Sequence, residues 1–478
     1  MQDVLLLPAA ERQELWRRLI EAVESCLRGA GEARVTPEMP QASAAELRAL
    51  LAPWDFSVPA APRTALDFAV DGLSRLQVQT NSPRYFGLFN PAPTSMGIAA
   101  DTLVAAFNPQ LATWNHSPFA VEVEQHLVRA FAARLGYDPA KAEGCLTSGG
   151  AEANHTALAA ALQRAFPEVG RRGLLALRSQ PLIYVTSQVH HSVVKAARLA
   201  GLGTDAVREV AVDSGLRMRP NDLAARIAGD RADGLAPFLV VATAGSTTAG
   251  IIDPLADLAA VAEREGLWLH VDAAWGGAAA LVPELRPALA GIERAASITF
   301  DAHKWLSVPM AAGLFLTRHP GVLERTFRVA ASYMPATAGQ PAVADPYAHT
   351  MQWSRRFIGL KLFLSLAVAG WQGYEEVLRQ QVAMGRLLRQ GLAAAGWQVV
   401  NDTPLPLVCF TRRGGAAPAL LEAVAAAVTG AGEAWLNCVP LGSGAALRAC
   451  ITSYRTTPAD IDALIGSLGR AWESCRNQ

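Results

Sequence analysis

Lysine is scarce in this chain: Lys141, Lys195, Lys304 and Lys361 stand against 38 arginines among 42 basic residues. A GC-rich genome produces such a bias without selection, so each surviving lysine is worth reading singly. Lys304 follows an apolar run in SITFDAHKWL (297–306) and has Trp305 and Leu306 beside it. Partial desolvation favours the neutral amine, which is a nucleophile toward carbonyl carbon. Lys141 falls in a polar loop, Lys195 on an Ala-rich amphipathic helix, and Lys361 in a helix after Arg355-Arg356. If the chain has a Schiff-base lysine, Lys304 is the first choice.

Three other segments carry chemistry of a matching kind. In CLTSGGAEANHTAL (145–158) a short strand leads into Ser-Gly-Gly and a helix opens at once. Bare backbone N–H groups at a helix start suit a phosphate. The segment is neither a Walker loop, since no Lys follows the glycines, nor GxGxxG, and alone it reads equally well as an ordinary turn. In LWLHVDAAWGG (267–277) strand alternation puts Trp268, His270 and Asp272 on one face, with Asp272 at the carboxyl end. An Asp there can hold a proton on a ligand's ring nitrogen or bind a metal. No Cys or carboxylate cluster accompanies His270, so a core histidine is the plainer reading and no metal site is expected. Finally, QVHHSV (188–193) presents two histidines at a strand-to-helix turn, where a flat imidazole can stack on an aromatic ring. Phosphate site, proton-holding Asp, flat His and imine-forming Lys together describe pyridoxal 5′-phosphate (PLP).

The elements that must position these residues are legible from about 145 to 317, where short apolar runs alternate with Ala-rich helical stretches. The pattern predicts strands at 181–186, 237–243, 267–272, 297–300 and 312–317, and helices at 152–166, 191–201, 220–228 and 254–265. Such alternation implies an α/β fold with an open, mostly parallel sheet, helices on both faces and ligands at the strands' carboxyl ends. Residues 1–85 read as a helical segment with Pro-containing joints. Residues 331–350 (ASYMPATAGQPAVADPYAHT) have no usable period, as lids and binding loops often do. A helix follows at 355–370, continuing after Gly370, and then a small α+β region. The expected division is 1–85, 86–360 and 361–478.

Composition excludes several classes. Lys+Arg and Asp+Glu are both 42, which argues against a polyanion-binding surface, so no nucleic-acid partner is expected. Hydrophobic residues make up 51%, enough for a large core or an oligomer interface, and rule out disorder as the dominant state. No apolar run reaches the roughly 18 residues of a membrane span, and MQDVLLLPAAERQ is a poor secretory signal because Asp3 precedes its apolar stretch. The six scattered cysteines contain no CxxC pair, so reduced thiols in a cytoplasmic protein are expected.

HVDAAWGGAAAL, GIERAASITFDAHKW, ATAGSTTAGIIDP and TSGGAEAN resemble the PLP-dependent group II amino-acid decarboxylases, the family of glutamate, cysteine-sulfinate and aromatic-L-amino-acid decarboxylases. The likeness runs from about Ser82 (SPRYFGLFNP) to the C-terminus and is densest in the central region. It implies a PLP-dependent transferase fold of type I with a seven-stranded-type central sheet, and an obligate homodimer with its active site at the subunit interface. Carried over by motif, Lys304 joins the cofactor covalently and Asp272 pairs with the ring nitrogen. His191 stacks on one ring face and Ala274 touches the other. Gly150 and Ala151 give backbone N–H groups to the phosphate with His303 alongside, Thr247 sits near the ring, and Arg448 grips a substrate carboxylate. Tyr333 matches the tyrosine of a closing loop and acts as proton donor. Asp301 stands where many members carry Asn, and an ionised Asp would repel the phosphate there, so the Gly-Gly helix start is expected to carry that contact.

The implied reaction is loss of CO₂ from an L-amino acid to give the amine. Leu88, Phe89 and Trp114 favour a bulky or aromatic substrate, whereas ATAGSTT, AAWGG and GIERA look closer to the glutamate and cysteine-sulfinate branch, leaving an acidic substrate as the alternative. An oxidative aldehyde synthase on the same scaffold is a further alternative, which Tyr333 opposes.

Overall fold

The computed structural model describes residues 5–29, 42–329, 343–442 and 444–477. Seven strands form the main sheet: β1 (Glu143–Thr147), β2 (Pro181–Val185), β3 (Val207–Glu209), β4 (Ala236–Thr243), β5 (Trp268–Asp272), β6 (Ser297–Asp301) and β7 (Gly313–Thr317). Their order is β1-β7-β6-β5-β4-β2-β3. The pairs from β6 through β5, β4 and β2 to β3 are parallel, and β7 runs antiparallel to both β6 and β1. The expected strands and helices are all present, with bounds shifted by a few residues; the 220–228 helix runs on to Ala232.

Continuous apolar runs form these strands because both sheet faces are covered. Alternate side chains feed opposite cores. Tyr184, Val240, Val271 and Phe300 enter the larger one, while Ile183, Val185, Val241 and Phe315 enter the other, beneath the Gly150–Ala165 and Ser192–Leu199 helices. The Leu255–Glu265 helix ends where Gly266 turns left-handed (φ 66°), which lets the chain drop directly into β5.

A long helix, Gly359–Ala394, bends at Gly370 (φ 65°) and links the main sheet to a four-stranded antiparallel one. That sheet comprises β8 (Trp397–Val399), β9 (Leu407–Arg412), β10 (Asn437–Leu441) and β11 (Gly444–Cys450). Its core takes in Phe86 from far upstream. The backbone of Phe86 is strapped there by bonds from its N–H to the Trp435 carbonyl (2.8 Å) and from the Cys450 N–H to its carbonyl (2.9 Å). This strap carries Gly87 to Phe89 into the crevice between the two sheets. Among the described residues the N-terminal helices Ala9–Gly29, Ala44–Leu51 and Pro62–Arg75 bury no side chain fully. No helix of the described residues is long and apolar enough to cross a membrane.

Candidate active site

The carboxyl ends of β1, β5 and β6 converge, as the sheet order requires. After β1, Gly149 and Gly150 open a 16-residue helix whose first-turn amides at Gly150 and Ala151 have no partner within the helix. Bulk is excluded here. A β-carbon at Gly150 would stand 2.8 Å from Asp301 Oδ2 and 3.2 Å from Ala274 Cβ, and one at Gly149 would lie 3.3 Å from the His303 ring. The turn therefore offers bare backbone to an anion, with His303 alongside.

Asp301 ends β6, and the next turn returns Lys304 over it, Nζ 3.2 Å from Asp301 Oδ2. The carboxylate is buried and its Oδ1 has no hydrogen-bond partner. His303 Nδ1 accepts the Ala312 N–H at 3.1 Å, which leaves Nε2 toward Asp301 at 3.8 Å. Burial lowers the His303 pKa; Asp301 opposes this and Lys304 reinforces it.

Asp272 ends β5. Its Oδ1 accepts the Ala274 N–H at 3.1 Å and its Oδ2 accepts Asn154 Nδ2 at 2.8 Å. His270, two residues earlier, is the core histidine expected: it is buried, with Nδ1 on Ser297 Oγ (2.8 Å) and Nε2 on Asn154 Oδ1 (3.0 Å). Burial pulls its pKa down to about 4.

The histidine turn departs from expectation. His190 and His191 are both exposed, His191 immediately precedes the Ser192–Leu199 helix, and the hydrogen bonds that tie a histidine to the site belong to His190. His190 Nδ1 lies 2.8 Å from Ser192 Oγ, which bonds Asn154. Desolvation lowers the His190 pKa; Asp272 acts against this, while Lys304 and His191 add to it. The physical reason is the helix start: a residue two positions before Ser192 can fold back onto the Ser192 side chain and N–H.

Opposite Lys304 stands an aromatic wall. The Phe89 ring packs 4.7 Å from Trp275, which lies 5.6 Å from Trp305. Lys304 Nζ and the Arg448 guanidinium each lie 5.8 Å from the Phe89 centroid. Arg448 is buried; Nη1 donates to the Thr247 carbonyl and Nη2 to that of Gly87, both at 2.6 Å, and Nε has no partner. The structure does not bring Trp114 to this group. Its indole donates to Glu122 at 2.9 Å and its backbone N–H to Asp345 at 2.8 Å. Tyr333 lies outside the described residues. Asn154 and Ser192 were missed from sequence. The available signal was the four-residue spacing from Gly150, which puts Asn154 on the same helix face.

Residues 51–413 match the family described as the pyridoxal-dependent decarboxylase conserved domain. The chain belongs to that family. It is similar to the human cysteine sulfinic acid decarboxylase, 34% identical over 340 residues that make up 70% of this chain and 68% of that one. Among solved structures it resembles mouse CSAD (TM-score 0.89, 26% identity, 97% and 99% of the two chains covered). It also resembles Oryza sativa TDC with PLP and tryptamine (TM-score 0.90, 24% identity, 98% and 99% covered), a likeness of fold. This decarboxylase is thus a PLP-dependent carboxy-lyase acting on an amino acid. Its residues fit the cofactor: a Gly-Gly cradle with no room for a side chain, an amine in Lys304 and a hydrogen-bonded carboxylate in Asp272. Asp301, 3.2 Å from Lys304, brings to the cradle a charge that opposes a phosphate.

Proposed function

We propose that the chain decarboxylates an L-amino acid with a bulky apolar or aromatic side chain, giving the amine and CO₂. The supporting observation is the aromatic surround of the site: the Phe89 ring, backed by Trp275, has its centroid 5.8 Å from the cofactor-joining amine of Lys304 and 5.8 Å from the carboxylate-binding guanidinium of Arg448. An apolar substrate side chain seated against these rings gains about 25 cal/mol per Å² of its own surface removed from water.

When bound, PLP supplies an electron sink for the pair released as the carboxylate leaves. In this reading Asp272 holds the proton at the cofactor's ring nitrogen, and Asn154 fixes the carboxylate that does so. The first-turn amides of Gly150 and Ala151 hold the phosphate with His303 beside them. Ala274 and His190, in place of His191, take the two ring faces, and Thr247 lines the edge through the carbonyl that fixes Arg448. Arg448 orients the departing carboxylate; its two carbonyl bonds lock the guanidinium in place. Tyr333 is the proposed donor of the proton to Cα, on the resemblance alone.

An acidic substrate is the second reading. The human relative's name favours it. We further propose a homodimer. Phe107 (81% exposed) and Phe119 (68%) flank a groove of about 840 Å³ that Phe357, Leu360 and Leu364 also line, and water is a poor cover for such a surface.

A CO₂-release assay of the PLP-loaded enzyme over single L-amino acids tests the substrate reading. Turnover of phenylalanine, tyrosine or tryptophan should exceed that of glutamate, aspartate and cysteine sulfinate by about tenfold or more in kcat/KM. The reverse order would replace it with the acidic reading.

A further inference from the structure

Asn154 is buried one helical turn beyond Gly150, and every polar bond of its amide is spent. Nδ2 donates to Asp272 Oδ2 (2.8 Å) and to Ser192 Oγ (2.9 Å). Oδ1 accepts from Thr299 Oγ1 (2.8 Å) and from His270 Nε2 (3.0 Å). The opposite amide orientation would set Oδ1 against the Asp272 carboxylate, so the orientation is fixed by charge.

That orientation propagates. Ser192 Oγ accepts from Asn154, and its own hydrogen is available to His190 Nδ1 at 2.8 Å. The Ser192 backbone N–H points at the same nitrogen at 3.3 Å. A backbone N–H can only donate, so His190 Nδ1 is an acceptor and the imidazole proton resides on Nε2. We infer that Asn154 is a positioning residue that couples the two sides of the cofactor site: it aims the Asp272 carboxylate and, through Ser192, holds His190 in the neutral Nε2–H tautomer.

The coupling has a chemical purpose, resting on the reading above in which His190 faces the cofactor ring. An imidazolium there would oppose a positive charge on the ring nitrogen, the charge that Asp272 is placed to sustain. A neutral imidazole removes that competition. The groups that act on His190 are the Asp272 and Asp301 carboxylates, which favour its protonation, and Lys304 and His191, which disfavour it. The two hydrogens aimed at Nδ1 add to the second set.

Histidine C2 hydrogen–deuterium exchange, followed by mass spectrometry on the cofactor-free full chain, reads the His190 titration midpoint directly. Ser192→Ala removes the hydroxyl donor, and Asn154→Leu removes the amide that orients it. Each should move the midpoint upward by about half a unit or more toward the ordinary 6.5, with His319 as an unchanged internal control. PLP affinity should fall severalfold in Asn154→Leu and little in Ser192→Ala, since only the first releases Asp272. Asn154→Leu leaves buried polar groups unpaired, so a failure to fold is met by reading the Ser192→Ala midpoint alone. An unmoved midpoint in folded Ser192→Ala would overturn the inference. Failure of the function reading would appear elsewhere, as PLP that does not bind the parent chain at all.

Discussion

Asp301 Oδ2 lies 3.2 Å from Lys304 Nζ, within the same turn that brings the amine over the Gly-Gly cradle. The carboxylate holds the amine ready but also faces the space in which a phosphate must sit, because a β-carbon at Gly150 would reach within 2.8 Å of it. Two anions that close repel, by an amount that depends strongly on local screening.

Asp301→Asn should therefore bind PLP more tightly, by about tenfold, which corresponds to 1.4 kcal/mol. Pyridoxal, which lacks the phosphate, should gain much less. Fluorescence titration of the cofactor-free protein with both compounds separates the effects. An equal gain for the two would assign Asp301 to Lys304 alone, and weaker PLP binding would show that the carboxylate helps to hold the cofactor.

His270 ties stability to pH. Its folded pKa, near 4, lies below the unfolded value of about 6.5. The unfolded chain therefore binds the extra proton first, and the stability held above pH 6.5 declines as the pH falls toward 4, by about 3 kcal/mol in all. Asp253 works in the opposite sense: burial pushes its pKa up to about 6, so the folded state gains relative stability as the pH drops through that value. Urea unfolding of the parent and of His270→Gln between pH 4 and 7 isolates the histidine. The variant should show a shallower loss on acidification, and equal slopes would contradict the assignment.

The dimer reading is open to direct measurement. Glu at both Phe107 and Phe119 places two charges on the apolar groove, and analytical ultracentrifugation should find the parent at twice the chain mass of 50.6 kDa and the double variant dissociated. A parent that sediments as a monomer at micromolar concentration would sink the proposal.

The sheet was legible because its strands are buried on both faces and read as unbroken apolar runs; PFLVVAT at 237–243 matches β4 within one residue. Asp272 and Lys304 were legible because each closes or directly follows such a run. The choice between His190 and His191 was not. Adjacent residues at a turn point in different directions, and only the fold-back onto Ser192 two positions later separates them. Nor could spacing reveal that Arg448 reaches the Gly87 carbonyl, a contact between residues 361 positions apart that depends on the Phe86 strap. Apolar character likewise does not announce the bond from the Trp114 indole N–H to Glu122 on the following helix.

The central claim is that Lys304 is the lysine that joins the cofactor. Borohydride reduction of the PLP-loaded chain, followed by peptide mass spectrometry, tests it most directly, because only four lysines compete. A phosphopyridoxyl group on the peptide containing Lys304, lost in Lys304→Ala, is the expected result. Its appearance instead on Lys141, Lys195 or Lys361 would contradict the account.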